Sequence, residues 1–212
     1  MMSPQTKCLW ATSNRNMFLR FCALLFSCLF CHATRAADVL SHFVESEYQN
    51  GKQEIRVLLP DNYSKDHSYR VLYVLPVEKG FKDKFGSGLS VLRQMDSHNR
   101  YNIIVVQMGF EKEPWYGDHA TDAKVRQASF VKDCLVPFIE ERYSTLGTPE
   151  GRLLFGFSKS GWGAVSLIMT YSDFFGYAAS WDAPLMFDRF HYGMESVYGT
   201  LDQLRKYQLI SL

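Results

Sequence analysis

Cysteine is scarce in most of this chain. Four of its five cysteines lie within the first 36 residues, and only Cys134 follows. A disulfide within residues 37–212 is therefore excluded, so the apolar core has to stabilise that part of the chain. Cys134 falls on the apolar face of a helix-like segment, and we expect a buried, unreactive thiol there.

The chain also lacks a large excess of charge of either sign. The net charge is +1, and the first 36 residues contribute four basic residues and no acidic ones, which leaves −3 for residues 37–212. No basic stretch with interleaved aromatic residues is present, which argues against a nucleic-acid partner. A hydrophobic fraction of 47% without low-complexity segments predicts one globular domain over residues 37–212.

No apolar run is long enough to cross a bilayer comfortably. The uncharged run Phe21–Cys31 has roughly a dozen residues, whereas about twenty are needed. Arg20 precedes this run, and Thr34 and Ala36 follow at the spacing of a cleavage site. Residues 1–36 are therefore predicted to be a secretory signal peptide, and the protein to be secreted or periplasmic, with no stable membrane span.

Other interpretations of this leader stay open. Met17 directly precedes the apolar run and is a candidate for the true start. Cys28 or Cys31 could carry the lipid of a lipoprotein, although bulky residues precede both. A buried core helix is the structural alternative.

Residues 37–212 begin with a hairpin pattern. The alternating segments His42–Tyr48 and Gln53–Leu59 flank Asn50 and Gly51, a pair typical of two-residue hairpin turns. Nearly continuous apolar runs follow, of the kind found in parallel strands that are buried on both faces. These runs are Tyr69–Leu75, Tyr101–Met108, Arg152–Phe157 and Tyr177–Trp181.

Helical patterns separate these predicted strands. They cover Val91–His98, Asp122–Tyr143 and Ser160–Thr170, and we expect Pro137 to kink the second or to start a new helix. Strands alternating with helices predict an α/β fold with a mostly parallel central sheet, an N-terminal antiparallel hairpin and helices on both faces.

The segment Gly156–Gly163 joins a predicted strand directly to a predicted helix. A serine hydroxyl is a weak nucleophile, so a hydrolase must expose it, supply a base and provide donors for the oxyanion. A sharp strand-to-helix turn exposes Ser158 and directs backbone N–H groups to the same space. Such a turn needs small residues two positions on either side, and Gly156 and Ser160 meet that need. The structural alternative is a phosphate-binding turn of a doubly wound fold, with Ser158 as the helix N-cap.

An ordered series of motifs extends the pattern beyond this turn. The series consists of LLPDNY at 58–63, YRVLYVL at 69–75, LVPFIEERY at 135–143, GFSKSGWGA at 156–164 and FFGYAASW at 174–181. With these motifs, residues 53–185 resemble the esterase D-like branch of the α/β-hydrolases. That branch includes feruloyl esterases, S-formylglutathione hydrolases and mycobacterial mycolyltransferases.

The resemblance implies roles for individual residues. Ser158 corresponds to the nucleophile, and the backbone N–H of Lys159 to one oxyanion donor. The second donor corresponds by position to the N–H of Glu78, although the family usually has His-Gly or Asp-Gly in this loop. The implied substrate is a small-molecule ester or acyl compound, and no metal or cofactor is required.

The acid and the histidine of the family follow the serine, after strands that the sequence does not show. Asp182 is the candidate acid, with capping of a turn before Ala183 as its structural alternative. His191 is the one histidine downstream of Ser158 and is the candidate base, against a plain surface or pocket-lining role. His119 precedes the serine and is a weaker candidate. On this interpretation the fold is C-terminally incomplete.

Two functions follow from these residues. The first is an exported serine esterase that forms an acyl-enzyme at Ser158. The second is a catalytically incomplete fragment or pseudoenzyme that binds a ligand or partner without turnover. Trp115, Tyr116 and Trp162 are expected to line the substrate cleft or to pack near it.

Overall fold

A computed structural model describes residues 38–81 and 86–183 of the chain. The predicted signal peptide and His191 lie outside these residues. The described residues form a six-stranded mixed sheet in the order β1-β2-β4-β3-β5-β6. The strands are β1 (Val39–Glu45), β2 (Lys52–Leu58), β3 (Arg70–Val74), β4 (Ile103–Met108), β5 (Arg152–Phe157) and β6 (Tyr177–Trp181).

Only β2 runs opposite to the other five strands of the sheet. The pairs β1–β2 and β2–β4 are antiparallel, whereas β4–β3, β3–β5 and β5–β6 are parallel. All six residues of β4 are buried, as expected for a central strand covered on both faces. The carboxyl ends of β3, β5 and β6 lie side by side, and the loops that follow them meet at one edge.

The helices occupy both faces of this sheet. They are α1 (Gly88–Gln94), α2 (Ser97–Arg100), α3 (Gln127–Ser129), α4 (Val136–Arg142) and α5 (Lys159–Thr170). On one face, Tyr73 and Val106 belong to a large apolar cluster with residues of α4 and α5. On the other face, Val74 and Val105 pack with Leu89 of α1. Neighbouring residues of one strand therefore enter different clusters, as the alternation of side chains requires.

A π-helical segment, Phe130–Leu135, joins α3 to α4. Pro137 is the second residue of α4 and has no N–H to donate to a carbonyl of the preceding turn. The wider π-helical turn lies directly before the proline, where an α-helical hydrogen bond would be lost. The expected kink or new helix at Pro137 takes the form of a change from π-helix to α-helix within one continuous helical stretch.

The predicted two-residue hairpin turn is wrong. The register pairs Glu45 with Lys52, so six residues separate the two strands. A tertiary contact removes the last residues of the expected first strand: Gln49 forms a bridge with Val125, and Tyr48 accepts a hydrogen bond of 3.1 Å from the N–H of Arg126. Contacts from another loop therefore override the local turn preference of Asn50 and Gly51.

Two predicted helices have different limits in the structure. The segment expected at Val91–His98 is two helices, interrupted at Asp96, whose φ of 55° is left-handed. The helix expected from Asp122 begins at Gln127. The predicted strand Arg152–Phe157, the predicted strand Tyr177–Trp181 and the helix ending at Thr170 are present. None of the described helices has the length and apolar character needed to cross a membrane.

Candidate active site

Ser158 is the single residue that connects β5 to α5. The strand ends at Phe157, the helix begins at Lys159, and Ser158 has φ 52° and ψ −125°. A positive φ is costly for a residue with a side chain, and such strain is typical of functional turns. The Ser158 hydroxyl makes no capping hydrogen bond to the helix, contrary to the alternative of a plain N-cap. The residue is only partly buried, so the hydroxyl lies at a reversal of the chain where a ligand can approach.

Close packing across the turn explains its small residues. A Cβ atom at position 156 would overlap the main chain of Ser160, so only glycine fits there. The fully buried Ser160 hydroxyl accepts a hydrogen bond of 3.0 Å from Phe157 N–H and donates one of 2.9 Å to Phe157 C=O. Ser160 therefore connects the first turn of α5 to the end of β5 by hydrogen bonds. The usual pattern has a second glycine at this position.

The backbone of β6 holds the other side of the turn. The N–H of Ser158 donates a hydrogen bond of 2.8 Å to the carbonyl of Trp181. A Cβ at Gly161 would lie 3.1 Å from that same carbonyl and 2.8 Å from the hydroxyl of Ser180. Helix α5 thus begins in close contact with the end of the neighbouring strand, and the position of Ser158 is determined by β5 and β6 together.

A loop from Glu113 to Gly117 packs against α5. Tyr116 is fully buried, and its ring occupies the space that a side chain at Gly163 would need. Its hydroxyl donates a hydrogen bond of 2.6 Å to the carbonyl of Pro76, directly after β3. Burial raises the pKa of this phenol well above its usual value, so the hydroxyl stays protonated and keeps this donor role. Tyr116 therefore packs beneath the site and does not line a cleft.

Gln127, the first residue of α3, fixes the conformation of this loop. Its side-chain carbonyl accepts hydrogen bonds of 2.8 and 2.9 Å from the N–H groups of Trp115 and Tyr116, and its amide donates one of 3.0 Å to the carbonyl of Glu113. Gln127 is 2% exposed. The three hydrogen bonds to this buried amide offset part of the conformational entropy that the loop loses when it becomes ordered.

The loop from Glu113 to Gly117 also contacts Lys159, the residue after the candidate nucleophile. The ammonium of Lys159 lies 2.7 Å from a carboxylate oxygen of Glu113 and 5.2 Å from the centre of the Trp115 ring. The Glu113 side chain is 45% exposed, so the pair contributes at most about 1 kcal/mol. Its effect is mainly to hold the Lys159 side chain against the loop.

Two backbone N–H groups are available as oxyanion donors. Lys159 is the first residue of α5, so its N–H has no partner within the helix, and the positive end of the helix dipole lies there. The N–H of Glu78, in the loop after β3, donates to no backbone carbonyl of the described residues. The Tyr116–Pro76 hydrogen bond anchors this loop beside the turn. The N–H of Lys159, at the start of α5, and the N–H of Glu78, in the loop after β3, therefore lie at the same edge of the sheet.

The candidate acid Asp182 and the weaker candidate base His119 have different surroundings in the structure. Asp182 follows β6 directly, with φ 52° and an exposed side chain that has no hydrogen-bond partner among the described residues. It follows Trp181, whose carbonyl accepts the hydrogen bond from the Ser158 N–H. The Nδ1 atom of His119 accepts hydrogen bonds from the N–H groups of Thr121 and Asp122, which is a structural role in its own turn. His191 lies outside the described residues.

A cavity of about 540 Å³ opens beside the turn. Its lining comes from the loop after β3, from α1, from Trp181 and from Gly156, Phe157 and Ser160 of the turn, whereas Ser158 does not contribute. The lining is largely apolar. Val91 of α1 and Met95, directly after α1, are 49% and 58% exposed and both line this cavity.

Sequence reasoning missed several residues of this region. Gln127 carries no motif, because an amide that orders a loop by tertiary hydrogen bonds has no local spacing signal. The exposed apolar residues Val91 and Met95 could have been found, since a spacing of four residues puts them on one face of a helical turn. Cys134, expected to be buried, is partly exposed, and burial raises the pKa of its thiol, which keeps it unreactive at neutral pH.

Comparison with known proteins identifies relatives of this fold. The model of the Esterase family, described as "Putative esterase", matches residues 46–195. A ferulic acid esterase of known structure aligns with a TM-score of 0.58 and 23% identity, over 69% of this chain and 60% of that one. A ferulic acid esterase from the anaerobic fungus Anaeromyces mucronatus aligns with a TM-score of 0.57 and 18% identity, over 72% and 61%.

A third solved structure is the S-formylglutathione hydrolase of Staphylococcus aureus. It aligns with a TM-score of 0.58 and 13% identity, over 81% of this chain and 74% of that one. No curated protein sequence matches the chain. Such identities show a shared fold, and the α/β-hydrolase architecture of the esterase D-like branch is confirmed. The chain spans about three fifths of the length of the two ferulic acid esterases.

Proposed function

Because the chain belongs to the Esterase family, we propose that it is an exported esterase in which Ser158 is the nucleophile and a small-molecule ester is the substrate. One observation carries the proposal: a strained serine at a strand-to-helix turn, beside an apolar cavity and two backbone N–H groups that donate to no backbone carbonyl of the described residues. This combination supplies exposure of the hydroxyl, stabilisation of an oxyanion and a place for the substrate.

The proposed reaction proceeds in two steps. The Ser158 oxygen attacks the acyl carbonyl while a base takes the hydroxyl proton, and the N–H groups of Lys159 and Glu78 stabilise the negative charge on the carbonyl oxygen. The alcohol then leaves with a proton, and water attacks the acyl-enzyme to release the acid. We assign the base to His191 and the orienting acid to Asp182, in the order in which the family places these residues. No step needs a metal or a cofactor.

A reactive Ser158 is tested by labelling and by turnover. A fluorophosphonate should modify the purified protein at one site, and hydrolysis of 4-nitrophenyl acetate should fall at least about a thousandfold in Ser158→Ala, because the nucleophile is removed. Intact mass and initial rates are the measurements. Ser90→Ala, on the exposed surface of α1, is the matched control and should behave as the wild type. Equal rates in wild type and Ser158→Ala would exclude the esterase.

The second candidate is a protein that binds an ester-like ligand without turnover. Among the described residues, neither a histidine nor a carboxylate makes a hydrogen bond to the Ser158 hydroxyl, and the four described histidines bond to other groups. The same labelling experiment separates the two candidates. A protein that binds the ligand but resists the fluorophosphonate would support binding alone.

A further inference from the structure

The cavity beside Ser158 contains one buried polar side-chain atom that lacks a partner among the described residues. Four polar residues line it. Ser160 is bonded to Phe157, as described above, and the Ser87 hydroxyl lies 3.4 Å from the side-chain oxygen of Gln107. The fourth is Glu78. Its Oε2 atom is buried, and within residues 38–81 and 86–183 no hydrogen bond or ion pair satisfies it.

An unsatisfied carboxylate in an apolar cavity is costly. Removing a charged oxygen from water without supplying a donor destabilises a protein by more than an ordinary hydrogen bond contributes. The described lining holds no lysine, arginine or histidine that could offset the charge. Groups of this kind persist where a ligand supplies the missing donor, so Glu78 points to a ligand with a complementary charge.

The rest of the lining fits an apolar body that carries a cation. The rings of Phe157 and Trp181 contact each other edge to face, with their centres 5.8 Å apart, and both line the cavity. Aromatic faces attract organic cations, and they accept an apolar chain equally well. An anionic ligand would instead be repelled by the carboxylate, since the described lining holds no cation to offset it.

We propose that this cavity receives an apolar part of the ester substrate and that the Glu78 carboxylate binds a protonated amine carried by that part. The inference rests on the proposed function, because it names the substrate class of the same site. The Glu78 backbone N–H is directed to the oxyanion, whereas its side chain selects the substrate. One residue of the loop after β3 would therefore contribute to both catalysis and specificity.

The first test measures binding without turnover. In the Ser158→Ala protein, isothermal titration with 4-phenylbutylamine, 4-phenylbutanol and 4-phenylbutyrate compares a cation, a neutral donor and an anion on one apolar body. The amine should bind at least about tenfold more tightly than the alcohol, since hydrogen bonds to charged groups are the stronger ones, and the acid should bind most weakly. Equal affinity for the amine and the acid would overturn the inference.

Substitution of the carboxylate tests its role directly. Glu78→Gln keeps the size and the backbone N–H of the residue, and it should remove the preference for the amine over the alcohol. Glu141→Gln, an equal charge change at a side chain that is 77% exposed, should keep that preference. An unchanged preference in Glu78→Gln would show that another group binds the cation.

A second variant covers the case in which Glu78→Gln fails to fold. Met95→Lys places a cation at an exposed position of the same lining, where it can pair with Glu78. It should weaken amine binding at least about tenfold more than it weakens alcohol binding, because only the amine loses its carboxylate partner. Undiminished amine binding in this variant counts against the inference. Fluorophosphonate labelling of the wild type is measured separately. Absence of labelling would contradict the esterase function, whereas absence of the amine preference would contradict the role of Glu78.

Discussion

At the scale of single residues, the geometry of the turn depends on side chains that are small or absent. Gly156 faces the main chain of Ser160, and Gly163 faces the Tyr116 ring, so both permit contacts closer than any other residue allows. The chain between them carries the strain of Ser158 at φ 52°. Hydrogen bonds from Ser160 to Phe157 and from Ser158 to Trp181 hold this conformation.

Gly156→Ala should destabilise the protein strongly. The added Cβ overlaps backbone atoms of Ser160, which cannot move without separating α5 from β5. Overpacking of a core costs about 1–3 kcal/mol, and contact with backbone belongs at the upper end of that range or above it. The free energy of unfolding from urea titration is the measurement. Gly117→Ala, where the new Cβ has no neighbour within 4 Å, is the control and should change stability little.

At the scale of elements, α4 is attached to the sheet edge by a titratable contact. The ring nitrogen Nε2 of His42 in β1 lies 2.6 Å from the hydroxyl of Tyr143, directly after α4. Burial raises the pKa of the Tyr143 phenol, so it stays protonated and donates to a neutral imidazole. Partial burial, and secondly the charge of Arg142, lower the pKa of His42 below 6.5. The contact is therefore formed by the uncharged ring.

This contact predicts a pH dependence of stability. Because the folded pKa of His42 is below its unfolded value, the stability is fully present above pH 6.5 and is lost as the pH falls through the lowered folded pKa. Between pH 7.5 and 5.5 the melting temperature of the wild type should fall by roughly 1–2 °C more than that of His42→Gln. Parallel curves for the two proteins would show that His42 does not contribute. His67→Gln, which replaces a histidine without a resolved contact to α4, is the control.

Element limits show where local sequence rules fail. The hairpin turn was misplaced because the bridge between Gln49 and Val125, which are far apart in sequence, removes the end of the expected first strand. The helix expected at Val91–His98 breaks at Asp96, whose left-handed conformation is not apparent from apolar spacing. In contrast, β5 was predicted to the residue, since a short apolar run between a turn that contains Pro149 and a glycine motif has clear ends.

At the scale of the whole molecule, the proposal of export rests on residues 1–36. Expression of the full chain in a bacterium should yield an extracytoplasmic protein that lacks these residues and begins at Ala37, because the cleavage site has small residues at the required positions. Cell fractionation and intact mass are the measurements. Replacing Leu24 and Leu25 with aspartate interrupts the apolar run and should retain the uncleaved chain in the cytoplasm. An uncleaved wild-type chain in the cytoplasm would contradict the proposal.

The topology of the sheet also explains why the position of the site could be predicted from the sequence, although the side chains around it could not. Parallel strands put their carboxyl ends at one edge, so the ends of β3, β5 and β6 had to meet there once the strand pattern was known. This consequence brings the Glu78 loop, Ser158 and Asp182 to the same region. It does not specify which side chains fill the space between them.

The sequence by itself determined the kind of fold, the strand that ends at Ser158 and the family, because apolar periodicity, glycine spacing and motif order are local properties of the chain. Only the tertiary structure decided that Gln127 orders the loop against α5, that Tyr116 is buried beneath the site and that the Glu78 Oε2 atom, in an apolar cavity, has no partner among the described residues. These facts depend on which distant segments come into contact, and a partner contributed from another part of the chain leaves no mark on local sequence spacing.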